Sequence, residues 1–313
     1  MLEALWLAEE AAAATGGRLV GADSWVAGGV SIDTRTLEPG DLFVALKDVR
    51  DGHDFVEAAF AKGAAAALIS DERALGFGPA LVVPDVLKAL EALGAAARDR
   101  STAKRVAITG SVGKTSVKEA TLLCLAASAR THASVKSYNN HWGVPLTLAR
   151  MPKEAAFGVF ECGMNHRHEI EPLSRLVKPH VGVVTWIAPA HIENLGTLAA
   201  IAEEKGDIYQ GLMPGGAALV PNEAPHAEVL IAAAGRWAAQ TVRFGREAGC
   251  EARLLSYEAD GSGARAQAEV FGRRIAYRVG ADGAHWALNS LAAITAAHLA
   301  GGLAQPDPLV CDR

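Results

Sequence analysis

The sequence predicts an α/β protein: a small N-terminal α/β domain, then a phosphate-loop central domain on a mostly parallel, doubly wound sheet. Three observations carry this. Short apolar, β-branched runs such as Arg105–Thr109, Val181–Ile187 and Ala217–Pro221 recur along the chain. Stretches with the apolar spacing of helices separate them, the pattern of crossover-connected parallel strands. Finally, RVAITGSVGKTSVKE (Arg105–Glu119) joins one such strand to one such helix through a glycine-flanked loop.

Leu2–Ala14 reads as a helix closed by Gly16 and Gly17. Val30–Asp33 and Asp41–Leu46 read as strands around a Pro39-Gly40 turn. Asp33, Thr34 and Arg35 lie at a strand end, where Arg35 is either an anion contact or half of a surface ion pair. Phe55–Lys62 reads as a helix, Ala65–Ile69 and Leu81–Val83 as strands, and Pro84 opens a helix running to about Arg100. This divides the chain into domains at 1–84 and 85–303.

The second domain opens on the glycine loop. Backbone N–H groups and the positive end of the helix dipole there face an anion. Gly110, Ser111, Val112, Gly113, Lys114, Thr115 and Ser116 form the cradle, with Lys114 able to reach terminal phosphates and Thr115 able to offer a hydroxyl to Mg²⁺. The spacing departs from G-x-x-x-x-G-K-[ST], because Ile108 stands where the first glycine would. Beyond the helix that begins at Lys114, Asn139 and Asn140 precede Gly143 and Pro145, as turn formers often do. The strand Ala156–Phe160 ends at Glu161, a carboxylate placed either to face a nucleotide or simply to be solvated. Val181–Ile187 leads to His191 on the same sheet edge. Lys205 sits in a helix over Leu198–Leu212, where periodicity alone reads it as an exposed lysine paired with neighbouring acids. Val242–Tyr277 suggests further strands, some antiparallel, and Trp286–Ala300 a last helix with Asn289 near its start.

Composition sets bounds on function. A net charge of −5 and a sequence pI near 6.1 argue against a nucleic-acid-binding surface. The four cysteines are scattered without metal-type pairing, which suits a reducing compartment. No stretch is apolar for long enough to span a bilayer, and the N-terminus carries Glu3, Glu9 and Glu10 rather than a basic leader. A cytoplasmic protein with no membrane insertion is expected.

Five segments together resemble one family. TGSVGKTSVKE, SYNNHWGVPLTL, VFECGMNHRHEI, APAHIENLGTLAAIAEEKGDIYQGL and GAHWALNSLAA stand in the order and approximate spacing of the Mur ligases. SIDTRTLEPGDLFVALKDVRDGHDF is similar to the uridine-nucleotide-binding N-terminal domain of two branches of that family. The NNHWGVPLTL and ECGMNH stretches favour the branch that joins D-Ala-D-Ala to UDP-MurNAc-tripeptide over its siblings.

The resemblance implies an ATP-dependent amide ligase of peptidoglycan precursor synthesis, with ATP and Mg²⁺ and a monomeric state. It implies that residues 110–116 hold ATP phosphates and that Asn289 lies near the adenine. Thr115 and Glu161 become Mg²⁺ ligands, and His191 a ligand of a second Mg²⁺. Lys205 falls on a lysine that the family carbamylates to give that metal a carboxylate-like ligand. Lys114, Glu161, His191 and Lys205 are the implied catalytic set. Asn139 and Asn140 line the substrate and phosphate channel, and Asp33, Thr34 and Arg35 fall at the UDP site. The family also carries a C-terminal Rossmann-like domain, of which residues 304–313 would be only a truncated start. The expectation is therefore a chain that binds its UDP-substrate and ATP but ligates poorly alone. A sibling ligase adding a diamino acid, an inactive nucleotide-binding remnant and an unrelated phosphate-loop switch are the competing readings.

Overall fold

The computed structural model describes residues 4–135, 137–190 and 192–302. They form two compact units, one running to Ser101 together with Pro145–Lys153, the other comprising Thr102–Val144 and the chain from Glu154 onward.

The first unit is built on a five-stranded sheet. Its order is Arg18–Val20, Ala80–Val82, Ala66–Ile69, Asp41–Val44, Gly29–Ser31, and only the Arg18–Val20 pairing is antiparallel. Ala66–Ile69 and Leu42–Val44 are fully buried, as central parallel strands are. The boundary at 84/85 expected from sequence is displaced. The helix Val86–Asp99 belongs to this unit and packs on the helix Ala8–Thr15. Val86, Ala89, Leu90, Leu93 and Ala97 make its buried stripe, and Asp85 caps it by accepting from Lys88 N at 3.0 Å. Residues 145–153 join the same unit through long-range bonds: Trp6 Nε1 donates to Ala149 O at 2.9 Å, and Arg150 Nε to Val30 O at 2.6 Å.

The N-terminal helix also starts later than its sequence suggests. Leu7 is extended, and Trp6–Leu7 pairs antiparallel with Val26–Ala27, so the helix begins at Ala8. Trp6 is buried, and Arg100 lies 4.0 Å over its ring, which holds Trp6–Leu7 in the extended form.

The second unit contains a nine-stranded sheet. In spatial order its strands are Arg273–Val279, Ala264–Val270, Ala252–Ala259, Gln240–Gly245, Ala217–Pro221, Val181–Val184, Lys104–Thr109, Phe157–Glu161 and Thr131–Ala133. Pairing is parallel from Thr131–Ala133 through to Ala252–Ala259, and the last two pairings are antiparallel. The helix Ala284–Leu299 covers the sheet with Leu291, Ile294 and a run of buried alanines.

Lys104–Thr109 holds the key position. Its neighbours are Phe157–Glu161 on one side and Val181–Val184 on the other. The chain leaves this strand toward one edge and later returns on the other side. A crevice is left at the carboxyl ends of these strands, where ligands of open α/β sheets bind. Among the described residues no helix is long and apolar enough to cross a membrane.

Candidate active site

Three strand ends and one helix build the site. Lys104–Thr109 runs into the loop Gly110–Gly113, and the helix Lys114–Ala126 starts immediately after it. Gly113 is the residue that caps this helix, at φ +82°, a conformation costly for any residue bearing a Cβ. A Cβ on Gly110 would collide with the Thr185 hydroxyl, so both glycines are required by the geometry. The loop, with Lys114, Thr115, Ser116, Ser137, Asn139 and Glu161, lines an open pocket of about 400 Å³.

Inside it, Glu161 is buried at the end of its strand. Its carboxylate accepts from Thr115 Oγ1 at 2.9 Å and from Asn139 Nδ2 at 2.7 Å. The solvated reading of Glu161 is therefore excluded. Lys114 Nζ donates to Gly110 O at 2.8 Å. Burial pushes the Lys114 ammonium below the usual lysine range, and the Glu161 charge opposes that shift.

The fit to a nucleotide phosphate and Mg²⁺ can be tested on these atoms. The Ser111 hydroxyl on the loop is buried and has no hydrogen-bond partner, as a donor waiting for an anion would be. Thr115 and Glu161 offer adjacent hard oxygens, the donor type Mg²⁺ takes. Among the described residues no group of three or more His, Cys, Asp or Glu side chains could hold an ion by itself.

The two asparagines divide their roles. Asn139 reaches Glu161 and packs against Gly163, whose N–H donates to Asn139 O at 2.7 Å. Asn140 is a local turn former instead: its Oδ1 accepts from Gly143 N at 2.9 Å, where the helix Gly143–Ala149 starts. Asn289, on the helix Ala284–Leu299, stands over the loop, and a Cβ on Gly113 would lie 2.9 Å from its Oδ1.

Lys205 departs from what periodicity predicts. It is buried rather than exposed. Its neighbour Glu204, also buried, spends its carboxylate on the backbone N–H groups of His168, Glu169 and Ile170 at 2.7 to 3.0 Å. Burial and the nearby Lys114 charge push Lys205 down to about 7, with Glu204 opposing. In the unfolded chain Lys205 titrates near 10.4. Between pH 7 and 10 the unfolded state thus binds more protons, and stability rises with pH; below pH 7 the contribution levels off. Wild type should gain stability over Lys205→Met between pH 7 and 9.5, and be parallel to it below pH 7. Thermal midpoints of both proteins across this range check the sign.

His191 lies outside the described residues. In the first unit, Asp33, Thr34 and Arg35 form a turn after the strand Gly29–Ser31. Arg35 Nη2 pairs with Asp33 Oδ2 at 2.7 Å, and its side chain is exposed. That hydrogen bond holds the Asp33 carboxyl below the usual range. Lys62 Nζ donates to Thr34 O at 2.6 Å. Three participants escaped the sequence reading: Thr185 and Glu204, already described, and Ser134, whose hydroxyl accepts from Glu161 N at 3.3 Å. Each acts through partners distant in sequence, so no local pattern marks it.

The sheet, loop and carboxylate define a phosphate-loop α/β protein. The chain belongs to the Mur ligase family: residues 108–297 match the Mur ligase middle domain, and residues 27–101 match the Mur ligase family catalytic domain. Among its curated relatives is the UDP-N-acetylmuramoyl-tripeptide–D-alanyl-D-alanine ligase of Escherichia coli K12. It is 43% identical over 205 residues, covering 65% of this chain and 45% of that protein. The enzyme of the same name from Bacillus subtilis 168 is 39% identical over 202 residues, covering 63% of this chain and 44% of its own length. A crystal structure of MurF from Acinetobacter baumannii superposes over all of this chain and 68% of its own, with a TM-score of 0.88 and 30% identity. The chain spans about half the length of the curated relatives it matches.

Proposed function

We propose that this chain carries the ATP and UDP-substrate sites of a ligase that joins D-Ala-D-Ala to UDP-MurNAc-tripeptide. The observation that carries the reading is the Thr115–Glu161–Asn139 hydrogen-bonded chain beside Lys114 on the phosphate loop. The relatives named for this reaction supply the substrates.

In the proposed reaction, the terminal carboxylate oxygen of the tripeptide attacks the γ-phosphorus of ATP. The P–O bond to ADP breaks, giving an acyl phosphate. The amine of D-Ala-D-Ala then attacks the acyl carbon, phosphate leaves with the shared oxygen, and the amine loses a proton. The loop N–H groups and Lys114 stabilise charge growing on the transferred phosphoryl group. Thr115 and Glu161 would hold Mg²⁺, which when bound neutralises phosphate charge. Asn139 fixes the Glu161 carboxylate in orientation. Asn289, above Gly113, would border the base-proximal side of the nucleotide, and Asn140 would shape the loop that Asn139 rides on.

Lys205 is read as the site of a carbamate. Its amine is half neutral near pH 7 and can add to CO₂ with release of a proton, leaving a negatively charged oxygen pair. His191 is read as its companion ligand for a second Mg²⁺. Asp33, Thr34 and Arg35 are read as part of the UDP site, which requires Arg35 to exchange Asp33 for a ligand phosphate. A cytoplasmic monomer is part of the same reading.

Phosphate release from ATP tests it. Release should require both UDP-MurNAc-tripeptide and D-Ala-D-Ala, and product mass should show the pentapeptide. Release indifferent to the UDP-substrate would favour a switch-type NTPase, and joining of a diamino acid to a UDP-linked dipeptide would favour the sibling ligase.

A further inference from the structure

We infer that Thr185 is a positioning residue of the phosphate loop: its hydroxyl sets the peptide plane that aims the Gly113 N–H at a bound phosphate. The inference rests on the nucleotide reading of the pocket and deepens it.

Thr185 follows directly on the strand Val181–Val184 and is buried. Its backbone N–H donates to Thr109 O at 2.9 Å, which extends the ladder between the two strands by one residue. The next residue continues the tie, since Trp186 O accepts from Ser111 N at 2.8 Å. The backbone of the neighbouring strand thus fixes both ends of the loop's first turn.

The Thr185 hydroxyl then donates to Val112 O at 2.5 Å. A trans peptide is planar, with its C=O and the following N–H pointing in opposite directions. Anchoring Val112 O toward Thr185 therefore turns the Gly113 N–H away from Thr185. Gly113 lines the pocket and Thr185 does not. The N–H is aimed at the ligand side and accordingly makes no bond to another backbone group among the described residues.

The same hydroxyl also constrains Gly110. The hydroxyl occupies the space that a Cβ on Gly110 would need, so the glycine and the threonine fit each other. Val112 itself is largely exposed, and its side chain does little to hold the loop. Without the anchor, the Val112–Gly113 peptide can flip at glycine with little steric cost. The cradle would then present a carbonyl oxygen to an anion in a fraction of molecules, and apparent affinity falls by that fraction.

Thr185→Val keeps the shape and removes the donor, while Thr185→Ser keeps the donor. The test measures Kd for ATP in wild type and both variants, with the Gly113 amide followed by NMR during the titration. Thr185→Val should bind ATP about tenfold more weakly, the scale of one lost hydrogen bond. Its Gly113 amide should lose the ATP-induced shift, and Thr185→Ser should restore both. A fold defect alone would not be rescued by serine with the amide shift intact. Thr185→Val binding ATP like wild type, with the shift unchanged, would overturn the inference and leave the pocket reading standing. A wild-type chain that binds no ATP would overturn the pocket reading and this inference with it.

Discussion

Lys114→Ala should abolish ATP turnover, with phosphate release falling by about 10³-fold or more. The ammonium sits in the pocket at the mouth of the helix Lys114–Ala126, donating to Gly110 O and facing the Glu161 charge. In a partly buried site its charge is weakly screened, so the loss exceeds that of a surface lysine. Lys114→Arg should not rescue fully, because a planar guanidinium cannot take the place of a compact ammonium curled back on Gly110 O. Steady-state phosphate release reads the effect. Turnover at the wild-type rate in Lys114→Ala would remove the loop from the chemistry.

Lys205→Ala should lose activity by about 10²-fold or more, and added acetate or formate should restore part of it. Its burial and the push from Lys114 give it an amine able to react with CO₂ at neutral pH, which an exposed lysine near 10.4 would rarely have. Glu204 does not compete for it, because that carboxylate already accepts three backbone N–H groups. A small carboxylate diffusing into the space left by alanine would replace the missing oxygens. A variant that stays folded, binds ATP and shows no rescue would argue against the carbamate.

The parts of this molecule that were legible in the sequence are those carried by local pattern. Strand, glycine loop and helix from Lys104 to Ala126 stand where RVAITGSVGKTSVKE puts them. Glu161 is at the strand end its run implies. What was illegible depends on partners far along the chain. Whether Glu161 is solvated or bonded was decided by Thr115, 46 residues away. Whether Lys205 is exposed was decided by the packing of its helix, not by its periodicity. The unit boundary moved because helix Val86–Asp99 buries its stripe in the first unit, and residues 145–153 rejoin that unit through Trp6 and Val30. Asn139 and Asn140 are adjacent and chemically identical, yet one orients a carboxylate and the other caps a turn. Nothing local distinguishes them.

The proposed ligation stands on transfer of the γ-phosphoryl group of ATP to a carboxylate in this pocket. Labelling the terminal carboxylate of UDP-MurNAc-tripeptide with ¹⁸O follows that transfer, with the released phosphate read by mass spectrometry. Attack by that carboxylate predicts that each phosphate released with D-Ala-D-Ala present carries one ¹⁸O from the substrate. Phosphate free of label would mean that water attacks the nucleotide, and the ligase reading would be wrong.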